Sequence, residues 1–362
     1  MPFSPERLTL ARQRRGMNKT QLAGAVGVST KTVSMYEKGD KQPPPPTLAR
    51  IASALDFPAG FFSAFPVDPV TVEGTSFRAL SRMTASKRDA ARAAGTLCTE
   101  LNAWFDSQFD LPEPRVPQSD PAVQDPEAAA ETVRAEWGLG NAPVPNLVHL
   151  LELHGVRVFS LAEECREIDA FSFRHEGTPF VCLNTTKTAE RGRFDAAHEL
   201  GHLVLHRGHD HPRGRGEEHQ ADAFASAFLM PRTDVIASVR RQPDFADIVH
   251  LKKRWNVSAA ALNYRLHKLN VTTDWHYRAM CIELSRYGRH EEPVPGPREQ
   301  SQLLDKAFAA LRAEGITRAM VAAALHVYPK DLDALVFGLV MSSVDGGGQQ
   351  APPASTPHLR LV

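Results

Sequence analysis

Apolar positions recur at helical spacing through most of the chain, and polar punctuation divides them into short units. Over residues 6–62, Glu6–Arg15 reads as an amphipathic helix ended by Gly16. Asn18 stands three residues before Gln21, a capping-box spacing that opens a helix over Lys19–Val26, stopped by Gly27. Ser29 caps Thr30–Lys38, which Gly39 ends; Pro43–Pro46 reads as a stiff spacer into a helix over Thr47–Leu55. A long helical pattern follows at Ala85–Phe109, then a proline- and acid-rich linker at Pro112–Pro126. Ala128–Trp137 and Val144–His154 are expected helices and Gly155–Leu161 a strand; Ala170–Phe173 and Phe180–Leu183, around His175-Glu176-Gly177, predict a β-hairpin. Two helices follow, Arg193–Leu205 and Glu217–Phe228, separated by a Gly/Pro/Arg loop, and the chain stays mostly helical to Val340. The expected fold class is mainly α with a small β-sheet (α+β).

With 362 residues the chain has room for two or three domains, and a 42% hydrophobic content supplies ordinary cores. The formal net charge of zero excludes a generally basic nucleic-acid coat, but not a basic face. Cys98, Cys165, Cys182 and Cys281 form no C-x-x-C pair, so buried free thiols are expected rather than a zinc knuckle or a redox dithiol. No apolar run is long enough to span a bilayer and the N-terminus has no signal-peptide core, which predicts a reduced, cytoplasmic setting with no membrane partner.

One helix carries His198-Glu199-Leu200-Gly201-His202. Histidines four apart lie one turn apart on one face, so both imidazoles can reach one tetrahedral Zn²⁺. Glu199, beside them, suits a general base that takes a proton from the attacking water and hands it to the leaving amine. A catalytic zinc needs a third protein ligand. Glu218, on the next helix, is the best placed; Asp222, four residues on and on the same face, can accept the free ring N–H of a ligand histidine. Glu217, His206, His209, His211 and His219 are the rivals. His206 lies two turns from His198, about 12 Å along the axis and too far to share one ion with both motif histidines. Tyr264, Arg265 and His267 are unranked candidates for stabilising an oxyanion.

The N-terminal unit has the layout of a DNA-reading helix-turn-helix. Residues 1–62 hold nine Lys/Arg against four Asp/Glu, a local surplus suited to phosphate contact. Thr30, Lys31, Thr32, Ser34 and Lys38 would project from the second helix of the turn, and Gln21 could brace a phosphate or base. The run Gln21–Ser29 is echoed by Met320–Tyr328 and more weakly by Lys253–Ser258; these later corners are expected to be packing units.

Arg193-Phe194-x-x-Ala197-His198-Glu199-Leu200-Gly201-His202, then Glu218-x-x-Ala221-Asp222-x-Phe224-Ala225 and Leu229-Met230-Pro231, resembles the ImmA/IrrE metallopeptidases over roughly residues 125–270. The resemblance implies His198, His202 and Glu218 as zinc ligands, Glu199 as general base, one Zn²⁺ per chain, and a repressor-like protein as substrate. Gln21-Leu22-Ala23, Gly27-Val28-Ser29 and Tyr36-Glu37-x-Gly39 resemble the Xre (Cro/cI-type) helix-turn-helix, which implies double-stranded DNA as partner. With Phe77-Arg78-Ala79-Leu80 and the long helix between them, the order resembles fused Xre/ImmA-IrrE regulators.

The expected division is a helix-turn-helix domain at 1–66, linker and long helix at 67–124, peptidase domain with a trailing helix-turn-helix-like segment at 125–272, helical C-terminal domain at 273–342, and disordered tail at 343–362. The expected function is a DNA-binding regulator with a zinc endopeptidase that cleaves a repressor-like partner, or itself, in a stress or signal response. The alternatives are a transcription factor whose zinc domain is a non-proteolytic sensor or scaffold, and a plain enzyme with a docking module. A homodimer paired through Ala85–Phe109 is the expected assembly.

Overall fold

A computed structural model describes residues 2–71, 84–119, 125–161, 167–206, 214–240, 242–286, 292–340 and 359–360. Phe77–Leu80, Cys165, His209, His211 and nearly all of the 343–362 tail lie outside the described residues. The fold is mainly α with one small three-stranded sheet, so the α+β class holds.

Four helices open the chain: α1 (Pro5–Arg14), α2 (Lys19–Val26), α3 (Thr30–Lys38) and α4 (Pro45–Leu55). Asn18 and Gln21 form a reciprocal capping box on α2, and Ser29 caps α3 through the Thr32 N–H. Gly27 (φ 73°) and Gly39 (φ 77°) end these helices in the left-handed region, where a side chain would be strained. Leu8, Leu22, Val26, Val33, Ile51 and Leu55 form the core. The proline spacer is shorter than expected: Pro45 and Pro46 occupy the first turn of α4, where proline costs no hydrogen bond.

Helix α5 (Ala85–Gln108) joins this unit to the sheet. Ser86 Oγ donates to Gly16 O at 2.7 Å on one side. On the other, a Cβ at Gly95 would stand 3.2 Å from Phe173, so glycine lets the helix lie flat on the sheet. Its Ala90–Leu101 stretch is almost wholly buried, so the pairing surface expected here is internal.

The sheet has strands β1 (Arg157–Ser160), β2 (Ala170–His175) and β3 (Thr178–Leu183) in the order β1-β3-β2, with β1 parallel and β2 antiparallel to central β3. Phe173 stacks on Phe180 at 4.9 Å. Glu176 (φ 48°) and Gly177 (φ 83°) both take positive φ, the tight turn whose twist matches a hairpin.

Residues 112–119, the first part of the expected Pro112–Pro126 linker, are packed against the domain. Arg115 N–H donates to His154 O, Trp137 Nε1 to Arg115 O, and Ser119 N–H to Val204 O. Carbonyls of a proline-rich segment still accept, and Gly155 leaves it room, since a Cβ there would stand 2.3 Å from Glu113 O. Of the tail, Leu359–Arg360 is described, paired in parallel with Phe109–Asp110.

Helix α8 (Ala189–Leu205) lies on the other face of the sheet and α7 (Leu147–Leu153) against β1, while α6 (Pro126–Glu136) and α9 (Arg215–Leu229) pack on α8. Then come α10 (Arg232–Ser238), α11 (Phe245–Trp255), α12 (Ala259–Lys268), α13 (Asp274–Ser285), α14 (Gln302–Ala313), α15 (Arg318–Ala324) and α16 (Pro329–Val336). The three echoing corners share one backbone device, a residue with left-handed φ: Gly27, Asn256 (φ 51°) and His326 (φ 54°). Their outer helices differ. Helix α16 is turned onto the N-terminal unit, where Arg15 grips Asp331, and α12 faces a cleft beside α8 and α9. Cys98 and Cys182 are buried as expected, whereas Cys281 is exposed. No helix among the described residues is long and apolar enough to cross a membrane.

Candidate metal centre and reading head

Helix α8 begins one turn earlier than its apolar pattern indicates, because Thr188 caps it through the Arg191 N–H. The extra turn carries Glu190, which is buried and paired with Lys252 at 2.7 Å, tying α8 to α11. Arg193, also buried, donates to Val144 O at 2.5 Å and pairs with Glu299, whose other oxygen accepts from the Leu147 N–H that opens α7. The metal-motif helix is thus fixed at its start by ion pairs.

Helices α8 and α9 approach closely at Gly201. A Cβ there would meet Phe224 at 3.0 Å and the Ala221 backbone at 3.3 Å. The glycine of the motif therefore sets the depth at which α9 presents Glu218.

At that contact the nearest donor atoms of His198, His202 and Glu218 all lie within 4.8 Å of one another. His198 Nε2 and His202 Nε2 are 3.1 Å apart, and Glu218 places Oε2 3.4 Å from the first and Oε1 3.4 Å from the second. Both histidines are buried. Burial pushes the Glu218 carboxyl up, but when the two imidazoles are protonated toward it their hydrogen bonds and charge outweigh burial and hold the group well below the usual carboxylate range. Glu217, His206 and His219 are not in this cluster.

The outer hydrogen bonds determine which ring nitrogens face inward. His198 Nδ1 lies 2.9 Å from Asp222 Oδ1, an acceptor only, so Nδ1 donates and Nε2 carries the lone pair. His202 Nδ1 lies 2.9 Å from His206 Nδ1, and His206 Nε2 lies 3.0 Å from Gln220 Oε1. The amide oxygen takes the His206 Nε2 proton, leaving His206 Nδ1 to accept from His202, whose Nε2 is then also a lone pair. Two imidazole lone pairs and a carboxylate converge on one point, a donor set that fits a divalent cation such as Zn²⁺.

Glu199 is fully buried and points to the sheet, where Ser172 Oγ donates to its Oε2 at 2.7 Å. Ser172 carried no sequence signal, because the contact crosses from β2 to α8. Among the unranked residues, Arg265 is occupied by Met230 O and Glu127, and His267 by Asp274. Tyr264 lines a cleft of about 1490 Å³ beside Asp222, with Arg191, Phe194, Ser226 and Lys268.

On the N-terminal unit, Gln21, Thr30, Lys31 and Lys38 are exposed, and Thr32 and Ser34 half-buried. Gln21 Oε1 accepts from the Asn18 N–H, which leaves its amide N–H₂ for outside contacts. Thr32 Oγ1 is 2.9 Å from Ser29 Oγ. Arg12 and Lys19 both pair with Glu37, removing its charge from the face of α3.

Two stretches of the chain match known families. Residues 8–62 match the helix-turn-helix family, and residues 151–267 match the IrrE N-terminal-like domain of the M78 peptidases. No curated protein matches the chain. An Xre-like helix-turn-helix DNA-binding domain is fused to an ImmA/IrrE-type, metallopeptidase-like domain.

Proposed function

We propose that this fusion of a DNA-reading domain with a metallopeptidase-like domain is a transcriptional regulator whose second domain is an active zinc endopeptidase. The observation that carries the reading is the convergence of His198, His202 and Glu218 beside a buried Glu199 held by Ser172. His198, His202 and Glu218 would hold one Zn²⁺. A zinc ion there supplies Lewis acidity toward a scissile carbonyl and the attacking water.

The chain's own residues do the rest. Asp222 and His206 orient the two imidazoles so that their Nε2 atoms face inward. Glu199 takes the proton from the attacking water and returns it to the leaving amine nitrogen, and Ser172 fixes the rotamer in which it does so. The substrate chain adds along β2. The Glu176–Gly177 turn closes on His175 and Thr178 as a hydrogen-bonded pair, so alternation turns the Ala170 and Ser172 backbone groups toward the outer edge. An extended peptide laid there lies next to Glu199. Thr30, Lys31, Thr32, Ser34 and Lys38 read or grip DNA, and Gln21 braces a phosphate. The substrate is a repressor-like protein, or the chain itself, cleaved in a stress response.

The test is cleavage of helix-turn-helix repressors from the same host, and of the chain itself, with Zn²⁺, with chelator, and with Glu199→Gln. Cleavage that survives Glu199→Gln overturns the mechanism. Regulation that survives it without any cleavage favours the alternative, a non-proteolytic zinc sensor or scaffold.

A further inference from the structure

Helix α13 is the least buried long helix of the C-terminal half. It packs chiefly on α12, with Tyr277 stacked on His267 at 4.4 Å, and His276 Nε2 faces Pro243 O at 2.9 Å. Met280 is its one buried residue. On the opposite side Trp275 is 78% exposed and Ile282 62% exposed, the former the most exposed large apolar side chain described. At 100° per residue, Trp275, Ala279, Ile282 and Arg286 fall on one stripe turned away from the packed face. Singly exposed apolar residues are ordinary; two at the same heptad position with alanine between them form a seam.

The charges beside the seam say what it fits. With Trp275 and Ile282 at d, Ala279 and Arg286 fall at a, Arg278 at g and Glu283 at e. In a parallel pair each g residue meets the partner's e residue five positions on, so Arg278 would meet Glu283 of the partner subunit, twice by symmetry. In an antiparallel pair g meets g and e meets e, which sets Arg278 against Arg278 of the partner subunit. The g–e pairs therefore favour parallel self-pairing, in which Arg286 meets Arg286 of the partner subunit only at the exposed end of the seam, where solvent screens the two charges. Among the described residues Arg278, Glu283 and Arg286 form no salt bridge within the chain; Asp274, one turn before Arg278, acts on it only as a nearby charge and is itself paired with His267.

We propose that α13 is a homodimer seam, on which a second copy of this chain packs its own α13 in parallel and in register. Ala279 at the centre allows close approach, and the two Trp275 rings and the two Ile282 side chains flank it. Twelve residues give a seam of about 18 Å, smaller than a stable interface normally needs. The pairing is accordingly weak in solution, and two helix-turn-helix units bound to adjacent half-sites would reinforce it. The seam is independent of the metal centre and of any proteolysis.

Sedimentation equilibrium of the full chain at roughly 1–100 µM tests this. The wild type is expected to dimerise within that range. Arg278→Glu and Glu283→Arg should each weaken association about tenfold or more, and the double exchange should recover to within about threefold of wild type. Trp275→Ser should also weaken it, with unchanged thermal melting showing that the fold is intact. Ala279→Cys should form a disulfide-linked dimer on mild oxidation, which in-register parallel pairing allows. A wild type that stays monomeric throughout, charge reversals without effect, a double exchange that fails to recover, or no cross-link at position 279 each overturn the proposal.

Discussion

The Nδ1 atoms of His202 in the last turn of α8 and of His206, which caps that helix, lie 2.9 Å apart, and His206 passes the contact on to Gln220 of α9. His206 is too far along the helix to join the metal cluster, yet it fixes which nitrogen of His202 faces that cluster. Replacing it with leucine should lower Zn²⁺ affinity about 10- to 100-fold, the usual cost of losing a partner of a ligand histidine. His206→Asn offers an amide oxygen in its place and should recover much of the loss. Chelator competition measures both; equal affinity in the leucine variant and wild type would refute the role.

Ser172 makes the matching contact on the general base. Ser172→Ala should leave Zn²⁺ affinity unchanged and lower the cleavage rate by about tenfold, since a positioned acid–base group contributes about 10²–10⁴ and only part of that positioning is lost. Glu199→Gln should abolish cleavage with zinc retained. Metal content by mass spectrometry beside a cleavage assay separates the two effects.

Glu152 of α7 is buried and caps α14 through Ser301 Oγ and the N–H groups of Gln302 and Leu303. Burial pushes its carboxyl up to about 7, against hydrogen bonds that pull it down. A folded-state value above the unfolded one means that the folded chain binds the extra proton. This contribution is fully present below about pH 4.5 and is lost as pH rises through about 7, a difference on the order of 3 kcal/mol. Glu152→Gln should flatten the decline between about pH 5 and about pH 7.5. Urea midpoints at the two values check it; an unchanged slope in the variant contradicts the assignment.

Arg15 binds Asp331 with both terminal nitrogens, at 2.7 and 3.1 Å, while its Nε donates to Leu55 O. The Asp331 side chain is 3% exposed, so Arg15→Ala leaves a buried carboxylate without its cation and should cost about 3 kcal/mol. Asp331→Asn should cost less. Chemical denaturation of each variant measures the difference, and a loss under about 0.5 kcal/mol would show that the contact does not hold the N-terminal unit in place.

Lys31 is exposed on α3. Lys31→Ala should weaken DNA binding several-fold and reduce the salt slope by about 1, as for one lost phosphate contact, without altering zinc affinity. Binding titrations over a range of salt concentrations give both numbers, and an unchanged slope would move the contact elsewhere.

Much of the site was legible because its rules are local. Histidines four apart on a helix share a face, as do Glu218 and Asp222, and that spacing alone links one carboxylate to the donor cluster and the other to His198. The helix-turn-helix was equally readable, since Asn18, Gln21, Gly27, Ser29 and Gly39 mark helix ends through their own backbone chemistry. By contrast, spacing along the helix speaks to His206 only as a ligand, and its hydrogen bond to His202 depends on its contact with Gln220 of α9. Residues 112–119 read as linker by composition, while their packing depends on the missing Cβ of Gly155, some 40 residues on.

By itself, then, the sequence determined the helix boundaries, the class of the metal donors and the polar face of α3, all of which follow from interactions between residues a turn or two apart. Tertiary structure alone decided that Ser172 holds Glu199, that His206 and Gln220 orient His202, and that α5 is buried while α13 presents a seam. Those relationships cross between elements, and only the packing of Gly201 against Ala221 and Phe224, and of Gly95 against Phe173, fixes the distances at which such side chains meet.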